Sequence, residues 1–126
     1  MTSYRITLNS PTPPLNANNR NHWAKNARIT SALREEIGWK ARAQTLHRHI
    51  TAPFTVTLHY RPSDNRRRDT DNLTPTLKVC CDALVDAGLA DDDTPDLMRK
   101  QMPIIHRAEK GKAGQLWIEI EPSRTQ

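Results

Sequence analysis

No run in this chain approaches the ~20 consecutive apolar residues that a membrane span requires, which excludes a helical membrane protein. The opening "MTSYRITLNSP" lacks the basic-then-apolar layout of a secretory leader, so a cytoplasmic location is expected. Only two cysteines are present, Cys80 and Cys81. Being adjacent, they form no CxxC metal or redox pair, and they read as small buried residues of a helix in a reducing compartment. The five histidines (22, 47, 49, 59 and 106) show no zinc-like grouping with cysteine. There is no internal repeat and no composition break that would mark a domain boundary, so residues 1–126 are read as one domain.

What is present is polar and unevenly charged. The 126 residues are 36% hydrophobic and 26% charged, with a formal net charge of +5, enough for a single modest core. Nine of the fourteen acidic residues lie between Asp64 and Asp96, against four of the nineteen basic ones, so that segment carries −5 and the remainder +10. A basic body of this kind is the electrostatic footprint of a nucleic-acid binder. The acidic centre does not suit plain binding, because carboxylates repel a phosphate backbone unless something neutralises them.

Along the chain, "YRITL" (4–8) alternates as a short strand. "NSPTPPLNANNRNH" (9–22) has prolines, five asparagines and no helical period, and long loops of this type are often functional. A helix is expected from about Thr30 or Ser31 to about His47, with Ile29, Leu33, Ile37, Ala43 and Leu46 as its apolar stripe and a largely cationic surface. "FTVTLHY" (54–60) alternates cleanly as a strand. A second helix follows, with Thr74 as N-cap, Pro75 at N1, Leu77, Cys80, Cys81 and Leu84 buried, and Gly88 as its stop. After the acidic turn "ADDDTPD" (90–96) come two extended segments, about 97–107 and 115–120, separated by the turn "EKGKAG". The order β-α-β-α-β-β indicates a small α/β domain whose mixed β-sheet is covered by helices.

The chemistry concentrates in "RRRDTDNL" (66–73). If that stretch is extended, Asp69 and Asp71 leave one face of the backbone roughly 7 Å apart at Cα and can grip a hard cation. Mg²⁺ prefers oxygen ligands, keeps several waters, and is held by a few carboxylates plus substrate phosphate. Metal ions in such sites activate water and offset charge on the phosphoryl oxygens, and a nearby lysine such as Lys78 assists. Arg66, Arg67 and Arg68 are expected to grip phosphate. Asn16, Asn19, Arg20 and Lys25, in or beside the first loop, are further candidate DNA contacts. Two structural alternatives stand beside this reading: a solvated loop whose charges alternate in blocks, and an Asx-type turn before a helix. For the acidic turn to reach the Asp69/Asp71 pair it must fold back along a helix roughly 20 Å long.

These blocks resemble the RusA family of Holliday junction resolvases. The similar features are "RRRDTDNL", a lysine on the next helix, "DALVDAGLADDDTPDL", the "PPLNANNR" loop and the ending "RKQMPIIHRAEKGKAGQLWIEI", which together span nearly the whole chain in order. The resemblance implies a RusA-like fold and a homodimer that cuts opposing strands of four-way junction DNA, in the cytoplasm of a bacterial or phage-infected cell. It implies Mg²⁺, or Mn²⁺, held by Asp69, Asp71 and Asp93 with Asp92 adjacent. The family's lysine stands four residues after the second aspartate, where this chain has Pro75. Lys78, seven residues on and four before Asp82, is assigned that role. Two other functions fit the same charges: a less selective nuclease for branched DNA, and a basic DNA-binding module without catalysis.

Overall fold

Phe54, Val56, Leu58 and Tyr60 alternate with Thr55, Thr57, His59 and Arg61, and this β-branched and aromatic content suits a pleated, half-buried surface. In the computed structural model, which describes residues 3–15 and 23–122, the stretch is the central strand of a five-stranded sheet. The elements in chain order are β1 (Tyr4–Thr7), α1 (Trp23–Ala43), β2 (Phe54–Arg61), α2 (Thr74–Asp86), β3 (Met98–Lys100), β4 (Ile104–Ile105) and β5 (Gln115–Pro122). Short 3-10 turns lie at Leu46–Arg48 and Thr70–Leu73. The strand order is β1-β5-β2-β3, with β4 also paired to β2. β5 is antiparallel to both β1 and β2, whereas β3 and β4 are parallel to β2. α2 lies in the long crossover that a parallel β2–β3 pair requires. The α/β class and the mixed sheet are as expected.

One contiguous core joins the layers. Phe54, Val56 and Leu58 of β2, Leu116, Ile118 and Ile120 of β5, Ile37 and Ala41 of α1, and Cys80, Cys81 and Leu84 of α2 are all fully buried. Burial pushes the Cys80 thiol well up and the Cys81 thiol up to about 12, so both are inert packing residues. The first loop is tied down at two points. The buried Thr76 hydroxyl donates to the Leu15 carbonyl at 2.9 Å, and Gly114 lets the backbone at Pro11 approach so closely that a Cβ there would lie 2.3 Å from the Pro11 carbonyl oxygen.

Four local expectations are corrected. α1 begins at Trp23 rather than near Thr30 and ends at Ala43 rather than near His47. Its buried stripe runs through Leu33, Ile37 and Ala41, one residue per four, while Ala43 is exposed. Thr45, at φ 49°, terminates it in the left-handed region that a helix cannot continue through. Segment 97–107 is two short strands instead of one extended piece, because Pro103 has no N–H for the ladder. α2 starts one residue early: Thr74 is its first residue, Leu73 precedes it, and Pro75 lies in the first turn. Its end is as expected. Gly88, at φ 86°, donates to Val85 O at 2.9 Å and Leu89 donates to Leu84 O at 3.1 Å, a Schellman closure.

The sheet face away from the core is not bare. Arg5, Trp117, His59 and His106 form a ladder across it. The Arg5 guanidinium lies 4.2 Å from the Trp117 ring centroid, and the three rings stack at 5.1 Å spacings. His59 Nδ1 shares a hydrogen bond with His106 Nε2 at 2.8 Å, and its Nε2 pairs with Glu119 at 3.1 Å.

Candidate nucleic-acid and metal site

The three consecutive arginines have three different fates. Arg68 is immobilised: it donates to Asp64 O at 2.9 Å, Arg66 O at 3.0 Å and Asp64 Oδ1 at 2.8 Å, and lies 5.8 Å from the Tyr60 ring centroid. Arg66 pairs with Asp64 at 3.2 Å but remains largely solvated. These two guanidiniums, Arg66 foremost, hold the Asp64 carboxyl well below the usual range. Arg67 is exposed, and among the described residues it makes no hydrogen bond or ion pair. Of the three, it is the cation left for an external anion.

Asp69 and Asp71 do not lie along an extended stretch, which corrects the geometry drawn from their spacing. Asp69 alone is extended, at φ −107° and ψ 130°, and its carboxylate accepts the Asp71 N–H at 3.2 Å. The chain then enters the Thr70–Leu73 3-10 turn, which runs directly into α2. This is the Asx turn that the sequence left open as a structural alternative. It explains why Thr74 is not needed as a cap. Both carboxylates remain exposed.

The acidic turn does fold back along α2. Lys78, in the second turn of that helix, reaches Asp93 Oδ2 at 2.6 Å and Asp82 Oδ1 at 3.1 Å. A second ammonium arrives from β3, with Lys100 Nζ 2.7 Å from the same Asp93 oxygen. Lys100 and Lys78 together hold the Asp93 carboxyl well below its ordinary range, while Asp93 and Asp82 raise Lys78. Asp92 braces the turn by accepting the Asp93 N–H at 2.8 Å. Lys100 was not singled out from the sequence. The available signal was its position two residues after the buried Met98, which places both on the sheet face toward α2.

Lys78, Asp93 and Lys100 are therefore brought together, whereas Asp69 and Asp71 stay on the turn entering α2. The donor types, all carboxylate oxygens, fit a hard divalent cation. The grouping is not closed: among the described residues no three His, Cys, Asp or Glu side chains gather as a metal-binding set. Lys25 is exposed in the first turn of α1. Asn16, Asn19 and Arg20 lie outside the described residues.

A cavity of about 390 Å³ opens between the arginine run and the sheet. Tyr60, Leu73 and Ile105 supply its apolar wall, and Arg67, Arg68 and Asp69 its polar rim. A second hollow of about 530 Å³ shares Arg67, Arg68, Asp69 and Asn72 with it. No described helix is long and apolar enough to cross a membrane. No protein-family model matches the chain, and no curated protein matches it.

Proposed function

We propose that this chain is a divalent-metal-dependent endodeoxyribonuclease with a RusA-like fold that resolves four-way DNA junctions by paired nicks as a homodimer. The observation that carries the reading is the return of the acidic turn along α2, which seats Asp93 against Lys78. Asp93 thereby lies against the same helix that the Asp69–Asp71 turn leads into. The exposed Arg67 is free to hold a phosphate, and the Arg68 and Arg66 pairings keep the carboxylate of Asp64 from repelling it. Asp69, Asp71 and Asp93 would hold the ion, with Asp92 adjacent. When bound, Mg²⁺ supplies Lewis-acid stabilisation of phosphoryl charge and a more acidic water. Lys78 and Lys100 then hold positive charge beside Asp93, and either is placed to offset negative charge on a phosphodiester. Both ammoniums contact Asp93 Oδ2, so Asp93 would ligate an ion through Oδ1 or by releasing one of them from Oδ2. A four-way junction presents two equivalent strands about a two-fold axis, so a C2 pair of single-site subunits matches its symmetry.

The test is cutting of a synthetic four-way junction in Mg²⁺, compared with linear duplex and with a flapped duplex. Junction cutting is expected to dominate, to stop in chelator, and to fall by at least about 10²-fold in Asp71→Asn, the scale of a lost electrostatic contact to the transition state. Equal cutting of all three DNAs would favour the less selective nuclease, and an unimpaired Asp71→Asn would refute the site. A second reading, a basic DNA-binding module without catalysis, is favoured by one set of contacts. Asp64, Asp69, Asp86 and Asp93 each already have an internal partner, in Arg66 and Arg68, the Asp71 N–H, Arg34, and the two lysines. It predicts DNA binding indifferent to Mg²⁺ and no scission.

A further inference from the structure

We infer that the cavity beside the arginine run is a receptor for one unstacked nucleotide of a DNA strand. Its volume of about 390 Å³ lies at the lower end of the roughly 300–1,000 Å³ usual for small-ligand sites, enough for a single base and its phosphate but not for a duplex. Its lining divides by chemistry as a nucleotide does. Half-buried Ile105, with the narrow exposed edges of the buried Tyr60 and Leu73, gives the cavity an apolar side for the edge of a heterocycle. Arg68 adds a guanidinium held in place by three hydrogen bonds, and such planes serve as stacking surfaces for splayed bases. Among the described residues the Asp69 carboxylate accepts one hydrogen bond, from Asp71 N, which leaves acceptor capacity for an exocyclic amine. At the rim Arg67, exposed and without an internal partner among the described residues, is placed for the phosphate.

The position gives the pocket a role. Asp69 lines it and also begins the turn that carries Asp71, so a base seated there would hold the adjoining phosphodiester beside the carboxylates. Extracting a base from a duplex costs least where pairing is already broken. A pocket for one unstacked nucleotide therefore selects strands at branch points over continuous duplex, and reads the base it receives. This role rests on the nuclease reading, whereas the pocket's occupancy does not.

The experiment separates the two. In chelator, titration calorimetry compares the four deoxynucleoside 5′-monophosphates with deoxyribose 5-phosphate and with inorganic phosphate. At least one nucleotide is expected to bind tenfold or more tightly than either phosphate. Thr12→Trp, at an exposed position lining the mouth, should abolish that preference, and Arg67→Ala should weaken nucleotide and phosphate alike. A four-way junction carrying 2-aminopurine at the branch should brighten on binding the unsubstituted protein and not the Thr12→Trp protein. Phosphate binding equal to nucleotide, or a nucleotide preference that survives Thr12→Trp, overturns the inference. So does brightening in both proteins, and so does a free nucleotide bound while the branch base stays dark. Nucleotide binding by a protein that cuts no DNA would refute the nuclease and leave the pocket standing. Junction cutting without nucleotide preference would do the reverse.

Discussion

Replacing Asp93 by Asn removes the charge that two lysines share while keeping the shape of the side chain. The structure sets the magnitude. Lys78 is 56% exposed, so its ion pair is largely solvated, and contacts of that kind contribute about 0–1 kcal/mol. Lys100 is 31% exposed against an Asp93 that is 19% exposed, so its bond loses less to water and falls nearer the range for hydrogen bonds to charged groups, about 1.5 kcal/mol. Together Asp93→Asn should cost about 1–2 kcal/mol at pH 7, lowering Tm by roughly 5 °C. The pH dependence identifies the cause. The folded pKa of Asp93 is depressed below the ordinary 3.8, so its stabilisation is complete above about pH 4 and is lost as pH falls through the folded value. Urea denaturation of both proteins between pH 7 and pH 2 should show a gap that is constant at first and shrinks below pH 4. A gap that stays the same down to pH 2 would refute the assignment of this stabilisation to the ionised Asp93 carboxylate. Repeating the pH 7 measurement in Mg²⁺ adds a second readout: if Asp93 joins an ion, the unsubstituted protein gains stability that Asp93→Asn does not.

His106 should act in a different pH window. Burial first, then His59, Arg61 and Arg5, lower the His106 pKa below 6.5, with Trp117 stacked against it and Glu119 on the far side of His59. Its favourable contribution is therefore present above about pH 6.5 and is lost as pH falls through the folded value, and His106→Gln should flatten stability between pH 7 and pH 5 by denaturant titration. Gly88→Ala forces a side chain into a φ of 86° and should cost about 1 kcal/mol, read as a Tm drop with the circular dichroism spectrum unchanged.

Elements governed by neighbours in sequence were legible before any tertiary information. The period-two pattern of Phe54–Arg61 and the period-four stripe of α2 each depend on which side chains share a face, a property of local backbone geometry. Gly88 ended its helix as expected because the left-handed closure is also local. α1 was mistaken at both ends because Trp23–Arg28 carries no apolar period to announce a helix, and Thr45, which breaks it, has no local signature of a positive φ. The Asp69–Asp71 spacing was read as extended because alternation alone cannot distinguish two strand residues from an Asx turn, whose hydrogen bond follows the same two-residue interval.

Charge segregation, the arginine run beside carboxylates and the two helix and strand patterns follow from the sequence by itself, because composition and short-range periodicity need no knowledge of what touches what. Only the tertiary structure decided that Lys100 joins Lys78 on Asp93, that Asp64 occupies two of three arginines, and that His59 meets His106. Those contacts join residues 2 to 47 positions apart. For the distant ones the physical reason is pairing register: β3 and β4 dock on β2 only after α2 has crossed over. That docking determines which charges meet.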